Sequence, residues 1–241
     1  MKDIPQELKI ELLSKLYVLQ AEWLTTMPLA CGKGCAACCT QSVTMTGLEG
    51  EQITNYLQQE GRLAELDIIL AERSQKSIPA PLTTNEFAEY CLKGIEPKEP
   101  IHEEWDFTPC PFLHENCCTI YPARPFGCRA FVSTVNCSQT GSAEIAPLAL
   151  TINTTFTQVV EHLGQGGKWG KMLDILTCYR TAKGGAKEAA TEAPLRDAKP
   201  IPGLIVCEEE QKPVVAILGR FMAKSVKGEQ IRSLLKLEGI I

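Results

Sequence analysis

The sequence predicts a mainly α fold in which a small cysteine-bearing β-hairpin and its flanking loops lie among helices. Apolar residues recur at steps of three or four along three stretches of the chain, the spacing that places them on one face of a helix. Thr46 and Glu49 have the capping-box spacing that marks the start of a further helix. The 241 residues form a chain long enough to bury a core without covalent staples.

The predicted helices follow in order along the chain. The first contains Leu8, Leu12, Leu16, Leu19 and Trp23, and Pro28 ends it. Others are expected from Thr46 to about residue 59, from about 62 to 74, over 145–163, over 169–179 and around 231–235. The proline-rich stretch 77–108 shows no clear period, so we expect a loop there with one helical turn near Phe87.

Three parts are predicted along the chain. Residues 1–180 form the cysteine-cluster domain, and residues 201–241 form a small C-terminal segment that packs on it. Between them, residues 181–200 are rich in Ala, Gly and charge without a large apolar face, which is typical of a linker. In the C-terminal segment the apolar runs 204–207 and 214–218 are predicted to pair as a hairpin.

Composition narrows the class of protein. With 24 Lys and Arg against 29 Asp and Glu, the net charge of -5 argues against nucleic-acid binding. No apolar run approaches the length of a membrane span, and the N-terminus has no pattern of a signal peptide. We therefore expect a cytoplasmic protein in a reducing compartment, where a set of twelve cysteines indicates metal binding or catalysis rather than disulfides.

The cysteines are clustered along the chain. Four lie within residues 31–39 and five within 110–137. The remaining three, Cys91, Cys178 and Cys207, are expected to be small packing residues without a function. The first group, Cys31-x3-Cys35-x2-Cys38-Cys39, lies in a glycine-rich loop whose turns can direct several thiolates at one soft cation.

The second group contains a predicted hairpin that separates two adjacent cysteines. With a three-residue turn at 114–116, residue 112 faces 118 and residue 110 faces 120, so that even-numbered side chains share one side. Cys110 and Cys118 then point the same way, and Cys117 points away. A two- or four-residue turn would reverse that choice. Cys128 and Cys137 follow within twenty residues.

Histidine contributes little to this pattern. Of three histidines only His114 lies in a cysteine group, and at a hairpin turn we expect it to be solvated. The site is therefore expected to be essentially all sulfur, which favours zinc or iron–sulfur over magnesium, calcium or mononuclear non-haem iron.

The two cysteine groups together resemble the YkgJ-type cysteine-cluster family, which is widespread in bacteria and described as zinc- or iron-chelating. The resemblance covers about residues 28–140 and includes the Tyr121-x2-Arg124-Pro125-x2-Cys128-Arg129 element. It implies eight metal ligands: Cys31, Cys35, Cys38, Cys39, Cys110, Cys118, Cys128 and Cys137. Cys117 is an extra residue beside an expected position.

Arg124 and Arg129 have two interpretations. Four thiolates around Zn²⁺ or an oxidised cubane leave a net charge near −2, which guanidinium groups bound to the cofactor would offset. Alternatively, Arg124 pairs with a carboxylate and stabilises the Arg-Pro turn.

Four functions are consistent with the sequence. We expect an iron–sulfur centre, a 4Fe-4S cluster in particular, rather than zinc, because adjacent cysteines from distant segments suit a cluster larger than one ion. The alternatives are a structural zinc protein, a cluster-dependent methyltransferase resembling the flagellin lysine N-methylases, and a thiol–disulfide switch. Eight cysteines exceed the need of one cluster, so some do not contact the metal or there are two centres. A protein partner is compatible with each function.

Overall fold

The computed structural model describes residues 4–32, 34–73, 80–97, 106–184, 195–237 and 239. The helices in these ranges are α1 (Gln6–Leu24), α2 (Gly47–Gln59), α3 (Leu63–Glu72), α4 (Thr84–Lys93), α5 (Phe126–Ala130), α6 (Cys137–Thr140), α7 (Pro147–Leu163), α8 (Met172–Ala182), α9 (Gln211–Met222) and α10 (Ile231–Leu235). The strands are β1 (Thr44–Thr46), β2 (Leu113–His114), β3 (Cys117–Cys118), β4 (Lys168–Lys171), β5 (Arg196–Asp197), β6 (Ser225–Val226) and β7 (Glu229–Gln230). The predicted mainly α fold is confirmed.

Capping explains where two of the helices begin. At α2 the Thr46 hydroxyl accepts the Glu49 N–H, and the Glu49 carboxylate accepts the Thr46 N–H, as the spacing predicts. Thr83 and Glu86 form the same box at α4, and Gly94 ends that helix in the left-handed conformation. The turn expected near Phe87 is therefore a ten-residue helix, because both of its ends are capped.

Two apolar cores hold the elements together. The larger combines α1, α7, α9 and α10, and Ile201 joins it from the C-terminal segment. The smaller is formed by α2, α3 and α8 together with two residues from the cysteine-rich hairpin region, Phe112 and Ile120. The second core therefore lies directly under the second cysteine segment. Among the described helices, none is both long and apolar enough to cross a membrane.

A small antiparallel sheet connects the first cysteine loop to the helices that follow the second. β4 is its central strand, pairing with β1 on one side and β5 on the other. In β4, Trp169 lies opposite Thr46 of β1 and Arg196 of β5. The predicted helix over 169–179 is therefore wrong for its first three residues, because the backbone of 169–171 is extended for pairing and α8 begins at Met172.

Two expectations about the C-terminal half also change. The hairpin predicted for 204–207 and 214–218 is wrong, because 214–218 lies in helix α9, which buries Val214 and Leu218 on one face. The apolar run fits a helix face as well as a strand. Within the interval predicted as a linker, residues 185–194 lie outside the described residues and Arg196–Asp197 forms strand β5.

Candidate metal centre

The first cysteine group lies in an irregular loop between α1 and β1. Two turns shape it, in which the Cys35 N–H donates to Gly32 O at 3.1 Å and the Cys39 N–H to Ala36 O at 2.9 Å. Cys31 and Cys38 are exposed, while Cys35 and Cys39 are half-buried. The thiols of this loop are therefore held by turns of the backbone and face a surface that water reaches.

The hairpin of the second group has a different register from the predicted one. Leu113 pairs with Cys118 and His114 with Cys117, which leaves a two-residue turn. The turn residues Glu115 and Asn116 have φ values of 48° and 60°. A two-residue turn with both residues left-handed matches the twist of the strands, and Asn is favoured in that conformation. The three-residue turn predicted from the sequence is wrong.

A two-residue turn would place Cys117, rather than Cys118, on the side of Cys110 if strand alternation continued back to Cys110. It does not continue that far, because Cys110 precedes the paired residues. Its carbonyl accepts the Leu113 N–H at 2.9 Å in a tight turn, so strand alternation does not extend back to it. Cys110 and Cys118 both pack against the smaller apolar core, and their thiols interact electrostatically. His114 is exposed, as expected of a solvated residue.

Backbone hydrogen bonds join the end of the first cysteine segment to the start of the second. The Cys110 N–H donates to Cys39 O at 2.9 Å, and the Gln41 N–H donates to Thr108 O at 3.0 Å. Thr40 and Pro109 form an isolated antiparallel bridge between them. As a result, the Cys39 thiol interacts electrostatically with those of Cys110, Cys118 and Cys128.

Cys128 reaches this group from the short helix α5, which is tightly held. The Glu49 carboxylate accepts the Phe126 N–H at 2.6 Å and the Tyr17 hydroxyl at 2.7 Å. Gly127 lies against β1, where a Cβ atom would stand 3.0 Å from Thr44 O. The sequence indicates Glu49 only as a capping residue; its second role, holding α5 beside the cysteines, depends on a contact 77 residues away.

The opposite end of the first loop meets the end of the second segment. The Ala30 N–H donates to Ser133 O at 2.9 Å, and the Ser133 N–H donates to Cys31 Sγ at 3.2 Å. Cys137 begins α6, which Asn136 caps. The Cys31 thiol interacts electrostatically with those of Cys35, Cys38 and Cys137.

Burial and crowding change the acidity of several thiols. Burial raises the pKa of Cys110 to about 11, and burial together with Cys110 and Cys118 raises the pKa of Cys128 further. Cys38 donates a hydrogen bond to Cys39, which raises the pKa of Cys38 and lowers that of Cys39. A thiolate is the metal ligand, so metal binding here must release protons.

Arg124 is the cation of the site. Its guanidinium lies 3.5 Å above the centroid of the Tyr121 ring, and it interacts electrostatically with Cys38, Cys118 and Cys128. Two of its nitrogens, Nε and Nη1, are buried without a hydrogen-bond partner in the described part of the chain. No ion pair of Arg124 with a carboxylate occurs among the described residues, in contrast to the alternative that such a pair stabilises the Arg-Pro turn. Tyr121 is itself half exposed.

Arg129 has structural partners instead. It donates to the carbonyls of Arg124 at 3.0 Å and Pro122 at 2.7 Å, and its guanidinium lies 4.3 Å above the Tyr17 ring. These contacts stabilise the Arg-Pro turn before Cys128. The residue next to the cysteine therefore shapes the loop that presents it.

The remaining cysteines differ from the expectation. Cys91, Cys178 and Cys207 are exposed rather than buried packing residues, because each lies on the solvent side of its helix or at a helix start. Across the described ranges, no three His, Cys, Asp or Glu side chains already stand at the spacing that holds one metal ion. Ligation of a single ion therefore requires the thiols to rotate toward each other.

The chemistry of the donors fits a soft metal. The thiols of Cys39, Cys110, Cys118 and Cys128 come together from separate turns, a strand and a helix, beside a guanidinium with two buried nitrogens that lack a hydrogen-bond partner in the described chain. Thiolate ligands select zinc or iron–sulfur. The site thus combines sulfur donors with a positive charge placed to offset theirs.

Among the comparisons with known proteins, only the one with family models gives a match. No curated protein and no solved structure matches the chain. A family model with the description "CxxCxxCC: Putative zinc- or iron-chelating domain" matches residues 30–153, which contain all eight cysteines assigned as ligands. The match spans more than half of the sequence, so the chain belongs to this family of zinc- or iron-chelating cysteine-cluster domains.

Proposed function

We propose that the protein is a cytoplasmic iron–sulfur protein that holds a 4Fe-4S cluster through Cys39, Cys110, Cys118 and Cys128. The observation that carries this proposal is that two guanidinium nitrogens of Arg124, Nε and Nη1, are buried beside an all-thiol group without a hydrogen-bond partner in the described part of the chain. A buried cation without a hydrogen-bond acceptor is costly unless a negative charge lies next to it. A cluster with four thiolates carries that charge.

The arrangement of the four thiols favours a cluster over a zinc ion. Each thiol comes from a different turn, strand or helix, and no two of them belong to one Cys-x2-Cys knuckle. Structural zinc sites usually use such knuckles, which direct two sulfurs at a single ion. A cubane needs four corners spread around a larger body, which separate elements supply.

Purification without oxygen tests the metal directly. We expect brown protein with iron and acid-labile sulfide in about equal amounts, since a cubane contains them equally. Cys110→Ser and Cys118→Ser are each expected to lose the visible absorption. Cys117→Ser, beside Cys118 in the same strand, is the matched control and is expected to retain it. Colourless protein with bound zinc would contradict the iron–sulfur assignment.

The reduction potential of Arg124 variants provides a second test. Removing a positive charge next to the cluster stabilises its oxidised form, so Arg124→Gln is expected to lower the reduction potential, and Arg124→Lys to restore part of it. Redox titration followed by visible absorption measures this. An unchanged potential in Arg124→Gln would show that the guanidinium does not face the cluster.

A further inference from the structure

The eight matched cysteines divide into two groups in the folded chain. The inner group contains Cys39, Cys110, Cys118 and Cys128, whose thiols interact electrostatically with one another. The outer group contains Cys31, Cys35, Cys38 and Cys137, and every cysteine that acts on the Cys31 thiol belongs to it.

Backbone pairing separates the two groups independently of the side chains. At one end of the first loop, Ala30 and Cys31 bond to Ser133, which brings the start of the first segment to the end of the second. At the other end, Cys39 and Cys110 bond to each other. The two segments thus run in opposite directions, and each end of the loop meets a different set of cysteines.

The surroundings of the two groups also differ. Cys110 and Cys118 of the inner group pack on the smaller apolar core, and Cys118 interacts electrostatically with Arg124. The outer group includes two exposed residues, Cys31 and Cys38. Water can therefore solvate part of the negative charge of the outer group, and Cys38 also interacts electrostatically with Arg124.

Cys38 lies at the boundary, because its thiol donates a hydrogen bond to Cys39 and interacts electrostatically with Cys128 and Arg124. It also forms the Cys35-x2-Cys38 spacing, the pattern of a zinc knuckle, with a residue of the outer group. We assign Cys38 to the outer group on this spacing and on its interaction with Cys31, whereas the backbone hydrogen bond to Cys110 holds Cys39 in the inner group.

We propose that the chain carries two separate centres, and that the outer group binds a single zinc ion through Cys31, Cys35, Cys38 and Cys137. The identity of the inner centre is taken from the proposed function; the division into two centres is independent of it. The inner group provides four thiolates among fixed elements, and the outer group provides four more on an accessible loop. Each set matches the four ligands that a zinc ion or a cubane takes.

Metal analysis of the full chain, purified without oxygen, tests the division. Wild-type protein is expected to contain about four irons, about four sulfides and about one zinc per chain. Cys31→Ser and Cys137→Ser are each expected to lose the zinc and keep the full visible absorption of the cluster. Cys110→Ser is expected to lose the iron and keep the zinc, and Cys117→Ser to keep both.

A measurement on wild-type protein avoids dependence on the folding of the variants. Because Cys31 and Cys38 are exposed, a zinc chelator is expected to remove the zinc while the cluster absorption stays constant. Iron released in parallel with zinc, or one centre per chain that both Cys31→Ser and Cys110→Ser abolish, would overturn the two-centre proposal.

The outcomes separate this proposal from the proposed function. Colourless protein with two zinc ions per chain, one lost in Cys31→Ser and the other in Cys110→Ser, would support two centres and contradict the iron–sulfur assignment. Brown protein that loses its cluster in Cys31→Ser would support the iron–sulfur assignment and contradict two centres. It would support a single cluster held by cysteines of both groups.

Discussion

The two cysteine-bearing segments of the molecule are held in place by different forces. In the first, residues 28–43, no described side chain is buried. In the second, residues 106–137, the side chains of Phe112, Ile120 and Phe126 are almost fully buried in the two apolar cores. The first segment therefore depends on backbone hydrogen bonds to the second and on its thiols, whereas the second has its own apolar contacts.

Because of this difference, metal binding is expected to affect the folding of the two segments differently. Burial of a large apolar side chain contributes about 1.5–3 kcal/mol, which the second segment gains several times and the first does not. Metal binding contributes folding free energy mainly where no preformed site exists. We infer that metal orders the first segment, and that it binds to a second segment already in place.

Removal of the metal is expected to have the largest effect. In metal-free reduced protein, amides of residues 28–43 should lose most of their protection against hydrogen exchange, and those of residues 112–130 should keep most of theirs. Hydrogen exchange read by mass spectrometry on metal-free and loaded protein measures this. Far-ultraviolet circular dichroism should change little, because α1, α7 and α9 share a core of their own. Equal loss of protection in both segments would contradict the comparison.

Truncation of an aromatic side chain in the second segment is expected to have the next largest effect. Phe112 is 1% exposed, so Phe112→Ala should lower the free energy of unfolding by about 3–5 kcal/mol. Phe131, in the same segment, is 48% exposed and provides the matched control, for which we expect a change within about 0.5 kcal/mol. Denaturant titration of both variants measures the difference, and similar values for the two would argue against apolar support of the second segment.

Glu49 links the start of α2 to the helix that carries Cys128. Its carboxylate accepts hydrogen bonds from Thr46, Tyr17 and Phe126, and in Glu49→Gln an amide N–H replaces one acceptor. The resulting unsatisfied buried donor should cost about 1–3 kcal/mol. We expect the visible absorption of Glu49→Gln to be lost at lower denaturant concentration than in wild type. Glu51→Gln, exchanging a carboxylate on the same helix, is the control.

An acid titration of metal-free protein tests the stability of the helical part of the molecule independently of the metal site. His162 is buried, and its Nδ1 accepts the Ile201 N–H at 3.1 Å while Nε2 bonds to Leu235 O at 2.8 Å. Burial lowers its pKa below the ordinary value of 6.5, so the folded state binds the proton less tightly than the unfolded state. Its contribution to stability is therefore complete above about pH 6.5 and falls as the pH drops through that value.

The expected loss of stability from protonation of His162 is at most about 1.4 kcal/mol for each unit by which its pKa is lowered. The melting temperature of metal-free protein, measured between pH 7.5 and 5.5, should fall less steeply in His162→Gln than in wild type. Metal-free protein is used because protonation of thiolates also releases metal in acid. Identical slopes in the two proteins would show that His162 does not titrate in this range.

The sequence alone determined the helical architecture and the chemistry of the donors. The three- and four-residue spacing in α1 and α7 and the capping box of Thr46 and Glu49 are local signals, and each appears in the structure. The bunching of cysteines in a chain with few histidines indicated an all-sulfur site before any fold was known. These features are set by neighbouring residues, which sequence spacing describes directly.

Only the tertiary structure decided which residues meet. The apolar run 214–218 fits a strand or a helix face, and packing against α7 selected the helix. The two-residue turn at Glu115 and Asn116 selected the register of the hairpin. The contacts of Cys39 with Cys110 and of Cys31 with Ser133 join positions about 70 to 100 residues apart. Local spacing carries no information about such distances, so the division of the cysteines into two groups appears only when the chain is folded.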